Sequence, residues 1–158
     1  MRRGNGWPKL DPALEIDLTL SDDPQQHWLA HIGEIRAERL AGRAAAREFV
    51  SRYFADAPKE ILFVIYLDRE LRICDIASLG GGSIDGVQVR IAEVIQQGTA
   101  AGAACFLLVH NQPRGDPAPS QQDIRITRRI RQISEELDMP LMDHFIVANG
   151  RITSVANF

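Results

Sequence analysis

The stretch HNQPRGDPAPSQQD, residues 110–123, decides how this chain is read. Two patterned segments flank it. Residues 103–109 are a short apolar run, which suits a central strand buried on both faces. Residues 121–137 carry Ile126, Ile130, Ile133 and Leu137 at spacings of 4, 3 and 4, the apolar stripe of a helix, and Met139-Pro140 stops it. The polar, proline-rich loop therefore joins a strand end to a helix start, an edge at which α/β proteins place their sites. Ser120 and Asp123 open that helix. Ser-x-x-Asp before an apolar-periodic run also has a local use, because serine caps the helix and the carboxylate sits at its positive end.

Outward from this stretch, the rest of the chain alternates strands and helices. Residues 145–148 and 152–155 flank Asn149-Gly150, a strong hairpin signal. Upstream, residues 61–67 are nearly all apolar, Asp68-Arg69-Glu70 reads as a hairpin turn, and residues 71–79 return as a second strand. Gly80-Gly81-Gly82-Ser83 is a flexible loop. Residues 87–101 read as a helix, with Val87, Ile91, Val94, Ile95 and Gly98 near one face. Residues 33–54 also read as helical, ended by Ala55-Asp56-Ala57-Pro58. The first 33 residues are broken by Pro8, Pro12 and Pro24, and Leu14, Ile16, Leu18 and Leu20 alternate with polar residues as in a half-buried strand. The expected fold is one α/β domain over residues 34–158, a mixed sheet flanked by helices, with residues 1–33 as an N-terminal extension.

Composition narrows the chemistry. A chain of 158 residues with 45% hydrophobic content is one domain's worth of soluble protein. The net charge of −3 gives no steering towards nucleic acid or anionic membrane. Two cysteines build neither a disulfide framework nor a cysteine-rich zinc knuckle, so a metal site here leans on the four histidines and on carboxylates. The opening MRRGNGWPKLDP has no apolar segment of a leader. Residues 94–113 carry no formal charge, but Gln96, Gln97, Thr99, His110, Asn111 and Gln112 are too polar for a membrane span. The expected location is the cytoplasm.

The residues of the central stretch resemble the JAB/MPN metalloprotease motif, H-x-H-P-x(6)-S-x-x-D with a glutamate upstream. The resemblance is closer to the RadC family, whose version reads HNHPSGDPxPSxxD and is followed by a segment like LLDHIIVG. Here the residues are Leu107 to Pro113, Gly115-Asp116-Pro117, Pro119-Ser120 and Asp123, then Leu141-Met142-Asp143-His144-Phe145-Ile146-Val147. The likeness covers roughly residues 58–155. It implies a JAB/MPN fold with a layering like that of cytidine deaminases. The helix-hairpin-helix region of full-length members is not evident, so the resemblance is to the short forms.

What the resemblance implies is a zinc-dependent hydrolase of the peptidase or isopeptidase type. His110, the residue at Gln112 and Asp123 occupy the metal positions, Glu60 the general base, and Ser120 the oxyanion donor. Two histidines, an aspartate and a water make a tetrahedral zinc with an open position. The departure is Gln112, which stands where the family has its second histidine. A neutral amide oxygen is a poor substitute for imidazole on zinc. The alternative is a JAB-like module without zinc that binds or scaffolds a peptide or protein partner. Arg114 also stands where the family usually has serine.

The remaining candidates carry less. Cys105 lies five residues before His110, so on a regular strand it points to the other face, into the core. Cys74 is read as core too. His144 is read as structural or supporting. His27 and His31 have helical metal-pair spacing but no glutamate of an HExxH motif. Arg125, Arg128, Arg129 and Arg131 lie opposite the isoleucine stripe as a solvated face, and they are the only support for a nucleic-acid partner. Homo-oligomerisation is left open.

Overall fold

The computed structural model describes residues 35, 38–55, 60–81, 91–112 and 115–157. Five strands form one sheet: β1 (Ile61–Leu67), β2 (Ile73–Gly81), β3 (Cys105–Asn111), β4 (Leu141–Ala148) and β5 (Arg151–Ser154). Their order is β2-β1-β3-β4-β5. β1 pairs antiparallel with both β2 and β3, β3 runs parallel to β4, and β4 pairs antiparallel with β5. Among the described residues three α-helices accompany them: α1 (Arg43–Phe54), α2 (Ile91–Ala100) and α3 (Gln121–Glu136). The expected mixed sheet with helices on its faces is what the chain forms.

Every position of β1 and β3 is buried, which explains their continuous apolar sequence. Strand alternation sorts these side chains between two cores. Ile61, Phe63, Ile65, Cys105, Leu107 and Val109 pack with Phe49, Val50 and Phe54 of α1. Leu62, Val64, Tyr66, Phe106 and Leu108 pack on the other face with Val94 of α2 and Ile130 of α3. Each such burial stabilises the fold by about 1.5–3 kcal/mol before chain entropy is set against it. Cys105 lies in the α1 core, on the face opposite His110, as its spacing predicts, and Cys74 packs partly buried against the other core.

The turns follow from their side chains. Asp68 Oδ1 accepts from the backbone N–H of Glu70 and of Arg72, both at 2.9 Å, and closes the β1–β2 turn. Asn149 and Gly150 have φ of 49° and 72°, the left-handed pair that a two-residue hairpin loop needs. Because β3 and β4 are parallel, the chain must cross over between them, and the loop after β3 together with α3 makes that crossing.

Two expectations need correction. Helix α1 begins at Arg43, not near residue 33. Glu38 to Leu40 run extended instead: Arg39 bridges Arg72, Leu40 N donates to Leu71 O at 2.8 Å, and Leu40 is only 3% exposed. Pairing with the β1–β2 turn thus buries Leu40 better than a longer helix would. Residues 87–90, where the expected 87–101 helix begins, lie outside the described residues, and α2 is given from Ile91. On α3, the buried residues are Asp123, Thr127, Ile130 and Ser134, whereas Leu137 is 52% exposed. The helix turns a polar row inward because polar groups of β4 meet it there: Thr127 reaches His144, and Leu141 N donates to Ser134 Oγ at 3.2 Å. The extension of residues 1–33, with its alternating segment and with His27 and His31, lies outside the described residues.

Candidate functional site

His110 ends β3 on the face covered by α2 and α3, and it is 1% exposed. One strand over, His144 projects from β4 to the same face and is fully buried. Asp123 comes from the first turn of α3 and is 1% exposed. These three make a buried floor. One ligand atom from each lies within 4.8 Å of the others. Glu60, just before β1, and Gln112 and Ser120, in the loop, form a more open rim. The sheet order brings them together, since β1 and β4 both neighbour β3.

The hydrogen bonds fix the protonation of both rings. His110 Nε2 donates to Glu60 Oε1 at 3.1 Å, and the amide of Gln112 donates through Nε2 to His110 Nδ1 at 3.1 Å. His110 therefore carries its proton on Nε2 and a lone pair on Nδ1. That Nδ1 also faces Asp123 Oδ1 at 3.5 Å. Thr127 Oγ1 donates to the carbonyl of Asp123 at 2.6 Å, in the manner of a helical hydroxyl. Its one proton is then spent, so the 2.7 Å contact with His144 is a donation from His144 Nδ1. His144 Nε2 is left as an acceptor. Neither His144 Nε2 nor Asp123 Oδ1 has a hydrogen-bond partner among the described residues.

Ser120 and Asp123 form a complete capping box. Ser120 Oγ accepts from Asp123 N at 3.0 Å and donates to Asp123 Oδ2 at 2.6 Å, and Ser120 N donates to the same Oδ2 at 2.8 Å. The cap and the site are not rival uses of these residues. The cap occupies Oδ2 and turns Oδ1 into the floor. Burial pushes the Asp123 carboxyl up, but the His110 ring 3.5 Å away, hydrogen bonds from Ser120 and the charge of His144 outweigh it and hold the group at about 2. For His144, burial is the main cause and lowers it to about 4; Asp123 opposes this and His110 reinforces it.

Gln112 is anchored as well. Its backbone N–H donates to Val147 O at 2.7 Å, and Gly115 N donates to Gln112 O at 3.2 Å. Asn149 Nδ2 donates to Gly115 O at 3.0 Å, tying the loop to the β4–β5 turn. A Cβ at Gly115 would stand 2.6 Å from Gln112 Oε1, so a larger residue here would push the Gln112 side chain from its place.

The structure thus brings together Glu60, His110, Gln112, Ser120 and Asp123, the residues that the sequence singles out. It adds Thr127, which the sequence reading passes over, and it places His144, read there as structural or supporting, beside His110. His144 belongs to the floor, where its ring centroid lies 6.4 Å from that of His110. Thr127 orients it. The signal for Thr127 is present in the sequence, because Asp123, Thr127, Ile130 and Ser134 follow helical spacing, but it reads as noise beside a row of isoleucines. The donor set of two imidazoles and one carboxylate suits zinc, and two of its atoms are buried acceptors without a partner, so the residues fit such an ion.

No helix among the described residues is long and apolar enough to cross a membrane. Of the basic face on α3, Arg125, Arg128 and Arg129 are exposed.

Several known proteins are similar to this chain. A UPF0758 protein of Acidithiobacillus ferrooxidans is 35% identical over 120 residues, which cover 76% of this chain and 54% of that protein. A UPF0758 protein of Marinobacter nauticus is 28% identical over 150 residues, covering 95% of this chain and 63% of that one. One from Geobacter sulfurreducens is 39% identical over 101 residues, 64% of this chain and 44% of its own. The chain spans about half the length of the curated relatives it matches. Residues 40–157 match the family described as the RadC-like JAB domain, and the chain belongs to that family.

Proposed function

We propose that this chain is a zinc-dependent hydrolase that cleaves amide bonds in a peptide or protein substrate. The observation that carries this reading is the convergence of Glu60, His110, Ser120 and Asp123 at one end of β3. When bound, zinc lowers the pKa of a coordinated water towards neutrality and polarises the scissile carbonyl. His110 and Asp123 would help hold it.

The chain's own groups supply the proton traffic. Glu60 is in contact with His110 on one side, and its side chain is about one-third exposed, so its carboxylate reaches both the floor and solvent. With Oε1 held by His110 Nε2, Oε2 is the oxygen that takes the proton of the attacking water and returns it to the leaving amine. Ser120 sits exposed at the rim. To stabilise the carbonyl oxygen, its hydroxyl turns its proton away from Asp123 Oδ2, while Ser120 N keeps that oxygen bonded.

One observation favours a second reading, a metal-free module that binds a peptide or protein. The Gln112 amide already satisfies His110 Nδ1. The discriminating experiment is zinc content after purification without added metal, combined with cleavage of a fluorogenic peptide library by wild type and Glu60→Gln. Stoichiometric zinc and a cleavage rate that falls about 10²–10⁴-fold in Glu60→Gln support the hydrolase. Zinc-free protein that cleaves nothing, even with zinc supplied, overturns it in favour of the binding module.

A further inference from the structure

We infer that the metal in this chain is held by His110, Asp123 and His144, and that Gln112 lies outside the ligand set. The inference rests on the zinc reading above for the presence of an ion, and it names a donor set that the H-x-H spacing does not.

Three acceptor atoms converge on the floor: Asp123 Oδ1 and His144 Nε2 have no hydrogen-bond partner among the described residues, and His110 Nδ1 has only the side-chain amide of half-buried Gln112. His110 Nδ1 carries a lone pair because its Nε2 proton goes to Glu60. His144 Nε2 carries one because its Nδ1 proton goes to Thr127. Asp123 Oδ1 carries its own because Ser120 occupies Oδ2. All three residues are at most 1% exposed, so water does not satisfy them from bulk. Buried acceptors that face one another repel, and a cation is the group that satisfies them all. Donors on a tetrahedral zinc with bonds of about 2.1 Å stand about 3.4 Å apart. The His110–Asp123 pair, at 3.5 Å, already has that separation, and the three donors lie within 4.8 Å.

The partners behind the rings support the same assignment. A metal-binding histidine commonly donates its other ring N–H to a carboxylate or another fixed acceptor, which sets the tautomer. Glu60 does this for His110 and Thr127 for His144. Gln112 does the reverse: it presents its amide NH₂, a donor, to the floor. In that rotamer it offers the floor no ligand atom, and only a turn of the amide would present Oε1. The Gln112 side chain is only half-buried, so it swings away from Nδ1 as an ion enters.

The test is a zinc titration of the full chain followed by ¹⁵N NMR of the ring nitrogens, with Co²⁺ absorption as a second probe. The expected result is one ion per chain, with the His144 Nε2 resonance shifted and His144 Nδ1 still protonated. This measurement needs no variant. His144→Gln and Asp123→Asn, checked for folding by circular dichroism, should weaken zinc by more than about 100-fold, while Gln112→Ala stays within about threefold of wild type. If zinc binds while His144 stays silent and Gln112→Ala loses the ion, this ligand set is wrong and the hydrolase reading survives. If zinc binds through His144 but no peptide is cleaved, the ligand set stands and the hydrolase reading falls. If no zinc binds at all, both fall.

Discussion

Asp143 and His144 are adjacent in β4 and serve opposite faces of the sheet. His144 points to α3 and the floor of the site. Asp143, 3% exposed, points to α1, where Ser154 Oγ lies within 2.8 Å of both its oxygens and Arg43 Nε stands 3.3 Å away. The His144 backbone N–H also donates to Asp143 Oδ1 at 2.7 Å. A cavity of about 190 Å³ lined by Leu40, Arg43, Leu107, Met142 and Asp143 lies on that α1 side, separated from the candidate site by the sheet.

The Asp143 cluster is therefore structural, and its members differ in weight. Ser154→Ala removes a buried hydrogen bond to a carboxylate and should cost about 1.5–3 kcal/mol of unfolding free energy. Arg43→Met should cost less than about 1 kcal/mol, because the Arg43 side chain is half-exposed. Urea unfolding of the two variants orders them. A larger loss for Arg43→Met would make the ion pair, not the hydroxyl, the main partner of Asp143.

Thr127→Val keeps the shape of the side chain but leaves the His144 Nδ1–H without an acceptor. Unfolding free energy should drop by about 1–3 kcal/mol, and zinc affinity by about 10–100-fold as the ring loses its tautomer. Thr127→Ser should restore both. Zinc binding that is equal in all three proteins would remove Thr127 from the site.

Acid should destabilise the metal-free protein in two steps. His144 titrates near 6.5 in the unfolded chain and near 4 in the folded one, so the unfolded state takes up a proton first and stability falls as pH drops between those values. Asp123 is held at about 2 from an ordinary 3.8, so its contribution of roughly 2 kcal/mol is present above pH 4 and lost as pH falls through 2. Urea midpoints from pH 8 to pH 2 with chelator present should show both. His144→Gln should flatten the upper step and Asp123→Asn the lower. An upper step that persists in His144→Gln belongs to another group.

Gly98→Ala tests the seat of α2. A Cβ there would meet Met139 Sδ at 2.6 Å and Tyr66 Cε1 at 2.8 Å. Alanine improves helix propensity by about 1 kcal/mol. Overpacking of about 1–3 kcal/mol should outweigh this and lower the melting temperature. A rise would mean that Tyr66, whose hydroxyl donates to Val94 O at 2.9 Å, yields easily.

The sequence made most of the fold legible, because the signals were local. The apolar runs of β1 and β3, the Asn149-Gly150 turn and the Ser120–Asp123 cap each declare themselves within a few residues. Leu40 was misread because its burial depends on pairing with Leu71, which no periodicity records. His144 was undervalued for a similar reason. Its place beside His110 comes from the parallel register of Leu108 with His144, a long-range fact. Thr127 was missed because its function appears only when His144 is placed.

The floor of the site comes from one strand–helix–strand passage between His110 and His144, while Glu60 arrives on another hairpin. A one-residue slip in the parallel β3–β4 register would therefore turn His144 to the other face and break the floor itself, whereas the same slip of β1 against β3 would leave the floor whole and misplace Glu60 alone.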